Sequence, residues 1–241
     1  MRKTDMSMRE RSLLPMREKV VVIGGGVAGM EAARVASVKG HEVVLFEKET
    51  TLGGQLNIAS IPPRKSEMNR ALRYLTNEMK ELHVDLRLGR TADAEMILAE
   101  NPDNVIVAAG AHNVIPPIEG SKMLHVFDAW KVLNHEELPS GRVVVIGGGL
   151  VGLETADTLA TDGCEVTVLE MKDSIGSDLG SLRKIAVMMK MQQLQVKLLP
   201  NSKVCKIYRK REIVLEDGTQ VPCECAVFAV GFLANDSHPL A

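Results

Sequence analysis

The sequence lacks a marked excess of charge and lacks a long apolar run. The formal net charge of the 241 residues is −2, which gives no electrostatic basis for binding nucleic acid or a membrane surface. No apolar run in the sequence is long enough to cross a bilayer. We therefore expect no nucleic-acid partner and no membrane association.

The N-terminal residues and the cysteines give no sign of secretion. Residues 1–18 are polar and mostly basic and lack the apolar central region of a signal peptide, so we expect a flexible leader or a connector from an upstream segment. The four cysteines include no CxxC pair and are too few for a disulfide framework in a chain of this length. The sequence thus indicates a cytoplasmic protein, and its 45% of hydrophobic residues suffice for a core.

The sequence does contain one glycine motif twice. VVIGGGVAGMEAARVASVKGHEVVLFE begins at Val21, and VVVIGGGLVGLETADTLATDGCEVTVLE begins at Val143. The copies align without a gap at an offset of 123 positions (147 − 24). One such motif is common by chance, whereas two in register predict a duplicated βαβ unit and hence two nucleotide-binding domains.

Each copy has the structural context that a dinucleotide-binding turn requires. An apolar run rich in β-branched residues comes first, at Val20–Ile23 and Val143–Ile146, and is typical of a parallel strand buried on both faces. The G-x-G-x-x-G turn follows, and then a helical segment, Met30–Lys39 or Leu150–Thr161. A second strand then ends in a glutamate in both copies.

The residue types in this motif have separate physical roles. The first glycine allows the tight turn, the second lets a pyrophosphate approach the backbone, and the third lets helix and strand pack closely. Free N–H groups and the helix dipole at the helix start favour phosphate. The closing glutamate accepts hydrogen bonds from a ribose, and at Glu170 it favours NADH over NADPH, a preference that the nearby Lys172 and Arg183 soften. The alternative is a glycine-rich turn without a ligand.

Four segments in combination resemble one family of flavoproteins: GGGVAGMEAARVA, GGQLNIA, VIVAAGA, and GGGLVGLETADTLA followed by VTVLE. The resemblance is to the FAD/NAD(P)-binding half of the 2,4-dienoyl-CoA reductase, 2-enoate reductase and trimethylamine dehydrogenase family, which has two dinucleotide-binding domains. It covers Glu18 to Asn235, nearly the whole chain.

The resemblance implies a fold class and a set of sites. The fold expected is α/β, with two Rossmann-like domains of the FAD/NAD(P)-binding fold, the second inserted into the first. The first turn would hold FAD through Gly24, Gly26, Val27, Ala28, Gly29, Glu47, Lys48, Gly54, Gln55, Ala109 and Gly110. The second would hold NADH, with NADPH disfavoured, through Gly147, Gly149, Leu150, Val151, Gly152 and Glu170.

The implied domains are a flexible leader at 1–18, an FAD-binding domain at 19–117 that resumes at 231–241, and an NAD(P)-binding domain at 118–230. The family closes its FAD domain with a further segment containing a Gly-Asp pair, which is missing here. It also carries an upstream barrel with FMN and an iron–sulfur cluster, which this sequence lacks. We therefore expect such a barrel, as a domain or a subunit, to be the electron acceptor, within a homo-oligomer or a larger complex.

Other residues support weaker hypotheses. Cys223 and Cys225 lie two positions apart and are either buried cysteines or a redox or metal-binding pair. The histidines form no ligand spacing, so we expect no metal site. Glu154, in the second helix, is either a helix-face carboxylate or, by the resemblance, a residue near the nicotinamide.

Two functions compete at this point. In the first, the chain is an FAD-dependent NAD(P)H oxidoreductase module that passes a hydride from NADH to FAD and electrons onward to a separate acceptor, as in enoate and dienoyl-CoA reductases. Because the cofactors do this chemistry, we expect no catalytic side chain. In the second, an incomplete FAD site leaves a non-catalytic nucleotide-binding or interaction subunit. A simple NAD-dependent dehydrogenase is excluded, because the chain has no room for a catalytic domain.

Overall fold

A computed structural model describes residues 16–63, 65–123, 125–208 and 211–235. Most of the predicted leader and of the expected return to the first domain after residue 231 lies outside the described residues. Contacts divide the chain into two units, with boundaries after Asn57, Glu67, Gly110 and Ala234. The second unit comprises Ile58–Glu67 and Ala111–Ala234, so it is inserted into the sequence of the first.

The first unit is built on a four-stranded parallel sheet in the order β3-β2-β1-β4. Its strands are β1 (Lys19–Ile23), β2 (Glu42–Glu47), β3 (Asp85–Leu88) and β4 (Asn104–Val107). Its helices are α1 (Val27–Val38), α2 (Gln55–Ala59, which crosses the unit boundary), α3 (Met68–Glu81) and α4 (Ala94–Ala99). The apolar run of β1 is buried because α1 and α3 cover one face of the sheet and α4 covers the other.

The second unit has a five-stranded parallel sheet in the order β6-β13-β7-β8-β9. These strands are β6 (Val126–Asp128), β7 (Arg142–Ile146), β8 (Glu165–Leu169), β9 (Lys197–Leu199) and β13 (Cys225–Phe228). Its helices are α5 (Ala129–Leu133), α6 (Leu150–Thr161) and α7 (Ser181–Gln193). The α/β fold with two parallel-sheet units that the sequence predicts is confirmed.

Two antiparallel sheets complete the second unit. One has three strands, β10 (Val204–Tyr208), β11 (Glu212–Leu215) and β12 (Gln220–Pro222). The other pairs β5 (Ala111–Asn113) with β14 (Phe232–Ala234). The three-stranded sheet packs its apolar residues on the face of the parallel sheet opposite α5, α6 and α7.

The internal repeat is preserved residue by residue. In the first unit Lys19 pairs with Glu42, and in the second Arg142 pairs with Glu165, which is the same pairing shifted by 123 positions (142 − 19). The helices α1 and α6 begin and end at the same shift. The sequence predicts the first helix from Met30, whereas α1 begins at Val27, because the carbonyl of Gly26 already accepts the N–H of Met30 at 2.9 Å.

The described residues contain no helix that is both long and apolar enough to span a membrane.

Candidate nucleotide-binding sites

The first glycine of each turn is fixed by its neighbours and its backbone. Gly24 has a φ of +105°, and Gly147 has a φ of +112°, a region that residues with a Cβ rarely adopt. A Cβ at Gly24 would lie 2.3 Å from the carbonyl oxygen of Ala108, and one at Gly147 would lie 2.3 Å from that of Ala229. Each glycine turn therefore lies against the residues that directly follow a neighbouring parallel strand, β4 in the first unit and β13 in the second.

The third glycine lets the helix lie directly on the turn. A Cβ at Gly29 would be 1.8 Å from the carbonyl oxygen of Gly24, and one at Gly152 would be 1.9 Å from that of Gly147. Neither position has space for a side chain. This contact holds the first residues of each helix directly against its glycine turn.

The second glycine of the first turn differs, because its backbone conformation and its described neighbours leave room for a side chain. Gly26 has an ordinary φ of −72°, and a Cβ there would meet no atom of the described residues within 4 Å. The first-turn N–H groups of α1, including those of Val27 and Ala28, have no intrahelical partner. Open space beside donors at a helix start fits the pyrophosphate of a dinucleotide.

The closing glutamates hold the turns together. Oε2 of Glu47 accepts the N–H of Gly25 at 2.5 Å, and Oε1 accepts the N–H of Glu49 at 2.8 Å. Glu170 repeats this arrangement with Gly148 at 2.8 Å and Lys172 at 2.9 Å. Each carboxylate oxygen has two lone pairs, so capacity remains for the predicted ribose hydroxyls.

The loop after β2 folds back onto the first turn. The N–H of Gly53 donates to the carbonyl of Gly25 at 2.9 Å. Gly54 has a φ of +52°, and its Cβ position lies 3.1 Å from the Cα of Gly26. Gln55 begins α2, and its Nε2 lies 3.8 Å from the Cβ position of Gly110.

The structure thus brings most of the predicted FAD residues into one corner of the first unit. They are Gly24, Gly26, Gly29, Glu47, Gly54, Gln55 and Gly110, with Ala109 beside Gly24. Lys48 directly follows Glu47, and its exposed side chain lies 3.8 Å from a carboxylate oxygen of Glu49.

The loop after β8 repeats the fold-back with one change. The N–H of Gly176 donates to the carbonyl of Gly148 at 2.7 Å, as Gly53 does to Gly25. Here, however, Oδ2 of Asp178 accepts the N–H of Leu150 at 3.0 Å. Asp178 is not among the residues predicted from the sequence, although the repeat offset pairs it with the predicted Gln55 (178 − 123 = 55).

A second missed residue, Lys65, pairs with Glu154. Oε1 of Glu154 contacts Nζ of Lys65 and lies 3.0 Å from a terminal nitrogen of Arg183. The side chains of Lys65 and Glu154 are only 15% and 16% exposed. Arg183, expected to moderate the effect of Glu170 on cofactor choice, is thus paired with Glu154 instead.

The cysteines differ in their surroundings. Cys223 is fully buried, and burial raises the pKa of its thiol to about 11. Burial also raises the pKa of the half-buried Cys164. The Sγ of Cys225 lies 3.6 Å from the carbonyl oxygen of Ser140. Among the described residues, no cluster of three or more metal-ligating side chains is present.

Comparisons with known proteins identify related chains. The profile of the family described as pyridine nucleotide-disulphide oxidoreductase matches residues 18–239. Bilirubin reductase of Mediterraneibacter gnavus (strain CC55_001C) is 71% identical over 230 residues, covering 94% of this chain and 36% of the relative. NADH oxidase of Thermoanaerobacter brockii is 44% identical over 186 residues, covering 76% of this chain and 29% of the relative.

A solved structure, the complex of 2-naphthoyl-CoA reductase with 2-naphthoyl-CoA, matches with a TM-score of 0.88 and 31% identity. The match covers 95% of this chain and 35% of that one. The chain therefore spans about a third of the length of the relatives it matches. These matches confirm the predicted resemblance, the class of flavoprotein oxidoreductase and the cofactor pair of FAD and NADH.

Proposed function

Because the chain belongs to the pyridine nucleotide-disulphide oxidoreductase family, we propose that it is the cofactor-handling module of a larger reductase. The first turn binds FAD and the second binds NADH. The observation that carries this proposal is the pair of glycine turns in register, the first with open space beside Gly26. When bound, NADH supplies a hydride to FAD, which passes electrons to a separate acceptor.

The chain itself supplies position and charge. At the first turn, N–H groups at the start of α1 hold the pyrophosphate, and Glu47 accepts the ribose hydroxyls. Gly54 and Gln55 lie beside this turn, and Ala109-Gly110 comes from the end of the neighbouring strand. The second turn repeats the set with Gly147, Gly149, Leu150, Val151, Gly152 and Glu170. We assign the FAD-binding domain to 19–117 and from 231, and the NAD(P)-binding domain to 118–230.

Glu170 sets the choice between the two nicotinamide dinucleotides. Its carboxylate accepts a free 2′-hydroxyl and repels a 2′-phosphate. Since both its oxygens already hold backbone N–H groups, the carboxylate is fixed in place rather than free to turn away. NADH is therefore preferred over NADPH.

The acceptor is an unsaturated acid, its CoA ester or a similar conjugated substrate, reached through an FMN- and iron–sulfur-bearing barrel. Three matched proteins support this proposal by their names: bilirubin reductase, cinnamate reductase of Clostridium sporogenes, and 2-naphthoyl-CoA reductase. Each is far longer than the stretch this chain covers, which leaves room for such a barrel. The assembly would be a homo-oligomer or a larger complex in the cytoplasm.

The test is the absorption spectrum of the purified 241-residue chain with added FAD, before and after NADH. We expect a bound-flavin spectrum that bleaches with NADH. A folded chain that binds no flavin and reduces no dye would instead support the non-catalytic nucleotide-binding subunit.

A matched pair of variants tests which cofactor each glycine turn binds. Gly26→Val should abolish flavin binding without unfolding the chain, because the protein leaves that space open. Gly149→Val should leave flavin bound but stop its reduction by NADH. Identical behaviour of both variants would contradict the assignment of one cofactor to each turn.

A further inference from the structure

The carboxylate of Asp178 accepts the N–H of Leu150 at the start of the helix that follows the second glycine turn. We propose that this carboxylate competes, within the molecule, with the pyrophosphate of NADH. Each time the nucleotide binds, the carboxylate must leave the helix start. This inference rests on the proposed function of the second turn as the NADH site. It concerns how tightly that site holds its ligand.

The contact is a hydrogen bond from the helix start to an anion. Oδ2 of Asp178 lies 3.0 Å from the N–H of Leu150, the first residue of α6. The residue before it, Gly149, has no side chain with which to cap the helix. Asp178 thus supplies the negative charge that the positive end of the helix dipole favours, which is the interaction that a phosphate would make.

The same carboxylate fills the space beside the second glycine. A Cβ at Gly149 would lie 3.1 Å from Oδ2 of Asp178, whereas one at Gly26 in the first unit would meet nothing within 4 Å. The space through which a pyrophosphate approaches is therefore open in the first turn and filled by an anion in the second. Two anions cannot share one set of donors without strong repulsion.

The loop that carries Asp178 is anchored to the turn at Gly148 by the two residues Ile175 and Gly176, while Asp178 itself is exposed. Gly176 donates to the carbonyl of Gly148, and Ile175 is buried against the same glycine. Rotation about the side-chain bonds of Asp178 is enough to move the carboxylate into solvent. The backbone of the loop can keep its hydrogen bonds during this change.

The first unit provides the internal comparison. The residue that corresponds to Asp178 there is Gln55, whose side chain is a neutral amide. A phosphate entering the first turn displaces no charge, whereas one entering the second displaces a carboxylate. The first turn is thus suited to a cofactor that stays bound, and the second to one that exchanges at every turnover.

The experiment is a calorimetric titration of the 241-residue chain with NADH and with ADP-ribose, which keeps the pyrophosphate but lacks nicotinamide. We expect Asp178→Asn to bind both ligands about two- to fivefold more tightly than the unchanged chain, the range that a charge at a helix start provides. Adenosine, which has no phosphate, should bind equally to both.

Two further variants make the test specific. Asp173→Asn removes the same charge from an exposed position in the same loop and should leave NADH affinity unchanged. Gln55→Glu places an anion at the corresponding position of the first unit and should weaken FAD binding without affecting NADH.

The outcomes are distinct. If Asp178→Asn is folded, binds NADH no more tightly and only loses thermal stability, Asp178 is a helix cap and the competitor proposal is overturned while the NADH site stands. If neither chain binds NADH or ADP-ribose, the proposed function itself fails. Equal tightening by Asp173→Asn would show a general charge effect and would also overturn the proposal.

Discussion

The main-chain N–H of Gly25 donates a 2.5 Å hydrogen bond to Oε2 of Glu47, and the N–H of Gly148 donates one of 2.8 Å to Oε2 of Glu170. In each unit the bond ties the middle of the glycine turn to the end of the second strand. The glutamate that the sequence assigns to a ribose is therefore also a structural clamp. It fixes the shape of the turn before any ligand arrives.

Replacing Glu47 with Gln should reduce the free energy of unfolding by about 1–3 kcal/mol, because an amide has only one acceptor oxygen for two backbone donors. Glu47 is 7% exposed, whereas Glu170 is half-buried, so Glu170→Gln should cost less. Urea denaturation of the two variants measures both values, with the exposed Glu49→Gln as the control. If Glu170→Gln reduced the free energy of unfolding more than Glu47→Gln does, the structural role assigned to Glu47 would be contradicted.

Replacing Gly29 with Ala should destabilise the chain by about 3 kcal/mol or prevent folding, because the added Cβ would overlap the carbonyl oxygen of Gly24. Gly180→Ala is the matched control, since that glycine has an ordinary φ of −62° and open space around it. Circular dichroism during thermal unfolding compares them. Similar midpoints for the two variants would refute the close helix–turn contact.

Removing Glu154 should destabilise the second unit more than removing either of its partners. Glu154→Gln leaves the charges of Lys65 and Arg183 close together without an anion between them, and we expect a loss of about 2 kcal/mol. Lys65→Met leaves Glu154 with Arg183 and should cost less. Hydrogen exchange at residues 58–67 should increase in Glu154→Gln, and unchanged exchange there would count against the ion pair.

The four cysteines should react with iodoacetamide in an order that follows their surroundings. Cys205 is exposed and should be labelled first. Cys223 should be labelled last, because with a pKa of about 11 only about one thiol in a thousand is ionised at pH 8. Mass spectrometry of timed samples gives the order, and denaturant should make all four reactive. Early labelling of Cys223 in the folded chain would show that it is not buried.

The ion pair between Lys19 and Glu100, 2.8 Å apart, should make stability depend on pH. The hydrogen bond from Lys19 holds the pKa of Glu100 below its usual range. The stabilisation is therefore present at neutral pH and is lost as the pH falls through the lowered pKa of Glu100. Thermal midpoints of Glu100→Gln and the unchanged chain should differ at pH 7 and converge in acid. A constant difference across this range would contradict the assignment.

Much of the fold and part of the site could be predicted from the sequence, because local patterns encode them. The apolar β-branched runs predicted β1 and β7, and the offset between copies predicted the duplicated βαβ unit, whose strand registers the structure shows to be the same. Lys65 could not be predicted in the same way, since its partner Glu154 is distant in sequence and no periodicity connects them. Asp178 was predictable in principle, because extending the alignment beyond Glu170 pairs it with Gln55. The glycine pattern alone gave no reason to look there.

The grouping of residues 58–67 with the second unit has a consequence for expressing the chain as two separate fragments. A break after Gly110 would leave Lys65 on one polypeptide and Glu154 on the other. Lys65 would then lose its counterion, Glu154 would keep only Arg183, and neither fragment would contain all the residues of one compact unit. Complementation between the two fragments, rather than the behaviour of either alone, would be the informative measurement.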